Sequence, residues 1–324
     1  MRPLVGAGAR GVVLILWSAT PILARQSPAP AVMWQDRGDP SALDIASGVA
    51  DGAPPPGNTF TFDKETKSGT SPKLQVVDER GVRWKAKLGV EVQSETAASR
   101  LVWAAGYFVD EDYYRPEIRV LGLPRLARGQ QFVRNGDTLV GVRLERDPVG
   151  PDPAHWNWHA NPFVRTREFN GLRVMMALVN NWDLKEVNNA VYARPGRRVY
   201  VVSDLGATLG RTGNSFIRSK AVVEHYERSV FVHAATADHV DFVMHSQPFP
   251  LTWLYNPRYS LDRTRMAGIV QRVPIADVRW LGARLGRLSP LQIGDCFRAA
   301  GFASAETTRY ARAVELRIAA LKRF

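Results

Sequence analysis

The run Pro148-Val-Gly-Pro-Asp-Pro153 divides the chain into two halves with different periodicities, and no other feature limits the fold as strongly. Proline fixes φ and removes a backbone donor, so neither a helix nor a central strand passes through such a run. Before it, the pattern is strand-like with one helix. Residues 74–77 and 82–88 flank a turn at 78–81 and read as a hairpin, and residues 117–123 and 138–144 are two further strand-like runs. Residues 94–105 read as a helix, with Ala97, Leu101, Ala104 and Ala105 on one side and Ser94 placed to cap it. After the break, residues 169–179 read as a helix, residues 190–192 and 199–203 as short strands, and residues 289–324 as helical. The expectation is an α+β chain of two lobes: a small β-rich lobe with one helix at 68–148, and a larger, mostly helical lobe at 149–324.

Two stretches precede these lobes. Arg2 and Arg10 lead into an apolar run at 11–24 that ends in small residues, the pattern of a secretory signal peptide over residues 1–25. Pro21 and the shortness of the run argue against a membrane span, although an uncleaved anchor is the competing reading. No later segment approaches membrane length, so the expectation is an exported protein, periplasmic or extracellular. Residues 26–67 are rich in Pro, Gly, Ser, Ala and Asp and read as a linker or irregular arm, onto which Trp34, Phe60 and Phe62 could provide local docking. With 43 Lys and Arg against 31 Asp and Glu, the 324-residue chain carries +12, a charge that favours anionic partners without choosing among them. The single cysteine, Cys296, excludes an internal disulfide or a cysteine-rich zinc site and reads as a small core residue.

Three groups of residues carry chemistry. Lys85 and Lys87 lie on one face of a strand, because side chains alternate along it, and Glu95 lies on the helix that follows. Asp183-Leu-Lys185-Glu-Val-Asn188 places an aspartate and an asparagine five residues apart, and Asp204-Leu-Gly206 follows two short strands later. In this order the residues resemble those of the protein-kinase-like fold, with a catalytic loop bearing a base Asp and a metal-ligand Asn, then an Asp-x-Gly bearing a second metal ligand. The similarity is greater to HipA-type kinases and more distant to phosphoinositide kinases. Ser68-Gly69-Thr70-Ser71-Pro-Lys73 looks like the phosphate loop of the HipA type, and Glu95-(x)4-Arg100-Leu101-(x)4-Gly106 matches that family's helix pattern. The resemblance covers residues 68–210.

The resemblance implies ATP or another nucleotide and magnesium as cofactors, with an unknown hydroxyl acceptor. It assigns Asp183 as proton acceptor and Lys185 to the transferring phosphate. Lys87, with Lys85 as the alternative, would contact nucleotide phosphates under the hold of Glu95, and Gly69, Thr70, Ser71 and Lys73 would cradle them. Asn188 and Asp204 would hold magnesium, and Gly206 would give the turn after Asp204 its freedom. Some family features are absent: Asn181-Trp182 stands where His-Arg precedes the catalytic Asp, Leu205 replaces Phe, and no Gly-x-Gly-x-x-Gly or Ala-Pro-Glu is present. A catalytically silent module of the same fold that binds an anionic ligand is the alternative. His155 and His159 have the spacing of helical metal ligands but lack an intervening Glu, so a packing or substrate-side role is expected. No serine has a Gly-x-Ser-x-Gly setting, and the Arg-rich stretches lack clustered aromatics, which argues against a hydrolase triad and against nucleic acid.

Overall fold

The computed structural model describes residues 29–49, 54–67, 69–148, 153–214, 216–244 and 248–324. The expected signal segment, Ser68 and residues 149–152 of the proline-rich break lie outside the described residues.

In chain order the elements are β1 (Ala31–Val32), β2 (Thr59–Thr66), β3 (Lys73–Asp78), β4 (Arg83–Leu88), α1 (Val92–Ala104), β5 (Phe108–Val109), β6 (Asp112–Leu121), β7 (Val133–Arg134) and β8 (Thr138–Arg146). After the break come α2 (Arg167–Leu178), β9 (Asn189–Arg194), β10 (Arg197–Val202), α3 (Val223–Arg228), β11 (Val232–Ala235) and β12 (His239–Phe242). The chain ends with α4 (Thr252–Tyr255), α5 (Pro257–Gly268), β13 (Val273–Pro274), α6 (Ile275–Leu285), α7 (Pro290–Arg298) and α8 (Ser304–Leu321). Strands β4-β3-β2-β6-β8-β7 form one sheet, with β4 also paired to β8. Its inner face buries Phe60, Val76, Trp84, Ile118 and Leu144 in a core of its own. A second and larger core gathers α1, α2 and the C-terminal helices around Leu101, Met175, Phe297 and Tyr310. Among the described residues no helix is long and apolar enough to cross a membrane.

The stretch expected to be irregular, residues 26–67, is in part structured. Thr59–Thr66 is an eight-residue strand in the large sheet, with Phe60 in its core. Trp34 donates its indole N–H to the Ala105 carbonyl at 2.9 Å, and Gln292 on α7 donates to the carbonyls of Pro40 and Leu43, both at 3.0 Å. Backbone partners far along the chain supply the order that the composition does not suggest. Ser94 is not the cap of α1. The helix starts at Val92, and the Ser94 hydroxyl donates to the Gly206 carbonyl at 3.0 Å, tying the helix to the segment after β10.

α2 leads into the loop that holds Asp183, and its end is fastened by an arginine. Arg317 on α8 is buried, and its guanidinium donates to the carbonyls of Leu178 (2.7 Å) and Ala177 (3.2 Å) and to Asn180 Oδ1 (2.9 Å). A cation facing the last carbonyls of a helix also complements its dipole. Asn180 turns the chain at φ 55°, a left-handed conformation that Asn tolerates better than most residues, and its amide donates to Gly210 O at 2.7 Å. Replacing Arg317 by Met orphans these buried carbonyls and is expected to cost about 3 kcal/mol, read as a fall in the urea midpoint.

Candidate active site

Strand β4 and helix α1 place a lysine and a glutamate together. Lys87 is buried, and its Nζ lies 2.7 Å from Glu95 Oε2, 2.6 Å from Glu91 Oε2 and 3.3 Å from Asp204 Oδ1. Burial alone pushes the Lys87 ammonium down, but Glu95, Asp204 and Glu91 outweigh it and hold its pKa above the usual lysine value. Lys85, two residues earlier on the strand, pairs instead with Glu145 at 3.1 Å and Asp147 at 3.5 Å. The geometry therefore separates the two lysines: only Lys87 reaches both Glu95 and Asp204.

Behind this cluster lies Arg143, directly across from Lys87 in the β4–β8 pairing. Its buried guanidinium meets Glu95 at 3.3 Å, Asp112 at 2.9 Å and Glu145 at 2.7 Å. Burial raises the Glu95 pKa, while Arg143 and Lys87 pull it down. An acid enclosed in this way stays aimed at Lys87 through two cationic contacts.

Asp204 follows β10 at φ 48°, and its side chain is about half exposed, so it reaches both Lys87 and open cleft. The conformational freedom expected of Gly206 is used at Asp204 itself, because Gly206 is not in the left-handed region. Gly206 matters for space instead: a Cβ there would sit 2.9 Å from the Glu91 side chain. Glu91 accepts from the Ser71 hydroxyl at 3.0 Å and forms an ion pair with Lys220, so it links the 69–71 loop to the segment after Asp204.

Asp183 sits in the loop after α2. Its backbone N–H donates to Asn181 Oδ1 at 3.1 Å, which curls the loop around it. Lys185 Nζ lies 2.9 Å from its carboxylate, and Arg263 Nη2 lies 3.3 Å from Oδ1. Asn188 donates its amide to the Asp183 carbonyl at 2.7 Å and to Oδ2 at 3.3 Å. With its NH2 so used, Asn188 presents its Oδ1, an oxygen with no partner among the described residues, as a ligand for a hard cation. Hard cations such as magnesium take oxygen ligands, so Asn188 Oδ1 and the exposed carboxylate of Asp204 fit that donor chemistry. Glu91, Glu95 and Asp204 also form a carboxylate cluster of metal-binding size, but the Lys87 ammonium sits among them.

Two cavities share Lys73, Lys87 and Asp204. One, of about 310 Å³, is lined by Gly69, Thr70, Ser71, Asp183, Lys185 and Asn188. The other, of about 220 Å³, runs between the sheet and β9, with Lys85, Glu95, Val187, Ala190 and Tyr192 on its walls. The structure thus brings Lys85, Lys87, Glu95, the 69–73 loop, Asp183, Lys185, Asn188 and Asp204 into two adjoining spaces, while Gly206 and His159 line neither. Trp156 and Trp158 are buried core residues. His155, exposed on the wall of the smaller cavity, places Nδ1 2.8 Å from the Asn189 carbonyl, and His159 lines a different cavity beside Arg265. Cys296 is buried, which pushes its thiol pKa up to about 12 and leaves it inert.

The sequence did not point to Glu91, Arg143, Lys220 or Arg263. Glu91 carries a pH signature. Burial pushes its pKa up, but Lys87 and Lys220 outweigh burial and hold it at about 2, against 4.5 ordinarily. Because the folded value is the lower one, the stabilisation is complete above the ordinary value and is lost as pH falls toward 2. Urea titrations should show wild type losing about 2–3 kcal/mol more than Glu91→Gln over that fall. Parallel losses in both proteins would contradict the pairing.

No family model matches the sequence, and no curated protein matches it. Among solved structures, similar chains include the Helicobacter pylori proinflammatory kinase CtkA, 10% identical with a TM-score of 0.37, over 82% of this chain and 99% of that one. Another is the amicoumacin kinase hAmiN in complex with AMP-PNP and Ca2+, 9% identical with a TM-score of 0.26, over 81% of this chain and 88% of that one. At such identities and TM-scores, what the site does has to be read from its own residues.

Proposed function

We propose that the chain is a bilobal, kinase-like phosphotransferase that moves the terminal phosphoryl group of ATP or another nucleotide to a hydroxyl acceptor. The single observation that carries this reading is Lys87, held by Glu95 and Asp204 on the wall between a cavity suited to a nucleotide and one containing Asp183. Phosphoryl transfer needs positioning and charge neutralisation more than covalent help, and these are what the residues offer. Lys87 and Lys73 face the nucleotide phosphates, with the backbone of Gly69, Thr70 and Ser71 beside them. Asn188 and Asp204 would hold magnesium, which when bound neutralises charge on the phosphates. The acceptor oxygen attacks the terminal phosphorus, the bond to the bridging oxygen breaks, the nucleoside diphosphate leaves, and the hydroxyl proton passes to Asp183. Lys185 steadies the phosphoryl group in flight.

The test is transfer of terminal-phosphate label from ATP to a panel of protein, sugar, lipid and small-molecule alcohols, with and without magnesium. Label on none of them, together with no autophosphorylation, counts against the enzyme. Asp204→Asn is expected to weaken magnesium–nucleotide binding by tenfold or more, since it removes a carboxylate charge beside the cation; equal affinity in calorimetry would remove Asp204 from the metal site. In a second reading, a silent module that binds an anionic ligand, the three carboxylates around Lys87 occupy that lysine, and the anion would be held by Lys73, Lys185 and Arg218 in the larger cavity. The basic and apolar start of the sequence supports export, and recovery of a shortened mature chain from the periplasm or medium tests it.

A further inference from the structure

We propose that the exposed apolar rim formed by Phe216 and the 249–255 segment is a docking surface for an anionic lipid bilayer. Leu254 is 81% exposed, Phe216 79% and Tyr255 75%, and Phe249, Leu251 and Trp253 are exposed beside them. The two segments meet, for the Phe216 and Phe249 rings lie edge to face with centroids 5.6 Å apart. Single exposed apolar residues are ordinary, but a cluster of this size marks an interaction surface. Its mixture of Trp, Tyr, Phe and Leu is the one that settles at the boundary between headgroups and acyl chains.

Charge selects the occupant. Residues 210–220 and 248–261 contain Arg211, Arg218, Lys220 and Arg258 and no Asp or Glu, with Asp262 next in the chain and Lys220 paired with Glu91. Arg211 and Arg258 are exposed, and Arg211 Nε donates to the Ile217 carbonyl at 3.2 Å, which keeps its charge at the rim. Apolar residues flanked by the exposed Arg211 and Arg258 suit an acidic bilayer, where each cation near the surface adds attraction. Pairing with a second copy would oppose like-charged rims on chains of +12 each. The rim continues into the cleft through Arg218, which lines the larger cavity and stacks over Trp182 at 4.3 Å. A docked bilayer therefore lies beside the cleft mouth.

Vesicle binding is measured without nucleotide, so its outcome is independent of the phosphotransfer reading. The full chain is sedimented with phosphatidylcholine vesicles and with vesicles containing about one-third phosphatidylglycerol. Binding is expected to the acidic vesicles alone and to weaken with salt. The combined variant Trp253→Ser, Leu254→Ser, Tyr255→Ser should lower partitioning about tenfold or more. Arg258→Glu, which leaves the apolar residues in place, should lower it about fivefold or more. No sedimentation with acidic vesicles would overturn the proposal. So would binding that neither variant reduces, or a wild-type dimer in vesicle-free sedimentation that the combined variant dissolves.

Discussion

Asp183→Asn is expected to keep the fold and nucleotide affinity while lowering phosphoryl transfer by about a hundredfold to ten-thousandfold, the range lost with a general base. The substitution preserves shape, and the hydrogen bond from its backbone to Asn181 does not depend on the side chain. Arg263 and Lys185 would then face a neutral amide, and Asn188 would still donate to the residue 183 carbonyl. The Asp183 carboxylate has three donors at or within 3.3 Å, so it is aimed rather than mobile. A surface aspartate without a catalytic role would change stability by roughly half a kilocalorie per mole and nothing else. Labelled-phosphate transfer and calorimetric nucleotide binding, measured on the same variant, distinguish the two. Undiminished transfer would remove Asp183 as the proton acceptor.

The second large effect is on stability. Arg143→Leu is expected to cost about 3–5 kcal/mol, because it leaves Glu95, Asp112 and Glu145 without the guanidinium that compensates them in a buried place. Among the described residues, the Asp112 carboxylate keeps Arg100 at 3.5 Å and the Ser99 hydroxyl at 2.9 Å. Combining Arg143→Leu with Asp112→Leu removes one of the stranded charges, so the pair should cost less than the sum of the single changes. Urea unfolding of the four proteins measures this. Additive losses would show that Arg143 and Asp112 are not coupled as their 2.9 Å contact requires.

What could be read from the sequence follows from local physics. The hairpin of β3 and β4 was legible because its alternation and its turn at residues 78–81 agree, and α1 because its apolar residues share one face. The order Lys87, Glu95, Asp183, Asn188, Asp204 was legible through its resemblance to the motif order of kinase-like folds, while strand alternation put Lys85 and Lys87 on one face without choosing between them. The eight-residue strand β2 was hidden because its apolar alternation stops at Phe62 and gives way to Asp63-Lys-Glu-Thr66 within a proline-rich setting. Two-residue strands such as β1 and β5 have no pattern to read, since their partners on β10 lie far along the chain.

The missed site residues have a common cause: long-range pairing. Lys220 meets Glu91 across 129 positions, and Arg263 meets Asp183 across 80. Nothing local marks either one. Arg143 did have a signal. It sits between Val142 and Leu144 in a strand whose neighbours are buried on both faces, where a lone arginine needs buried carboxylates. Its partners Glu145 and Asp112 lie in the parts of β8 and β6 that extend past the strand-like runs read from the sequence.

The most direct test of the central claim is a calorimetric titration of magnesium and ATP into the purified protein, run beside Asp204→Asn and beside wild type without magnesium. Saturable binding to wild type is predicted, weakened by tenfold or more in Asp204→Asn and on removal of magnesium. No heat and no thermal shift at millimolar nucleotide, from protein that is well folded by circular dichroism, would contradict the claim that Lys87, Asn188 and Asp204 form a nucleotide site.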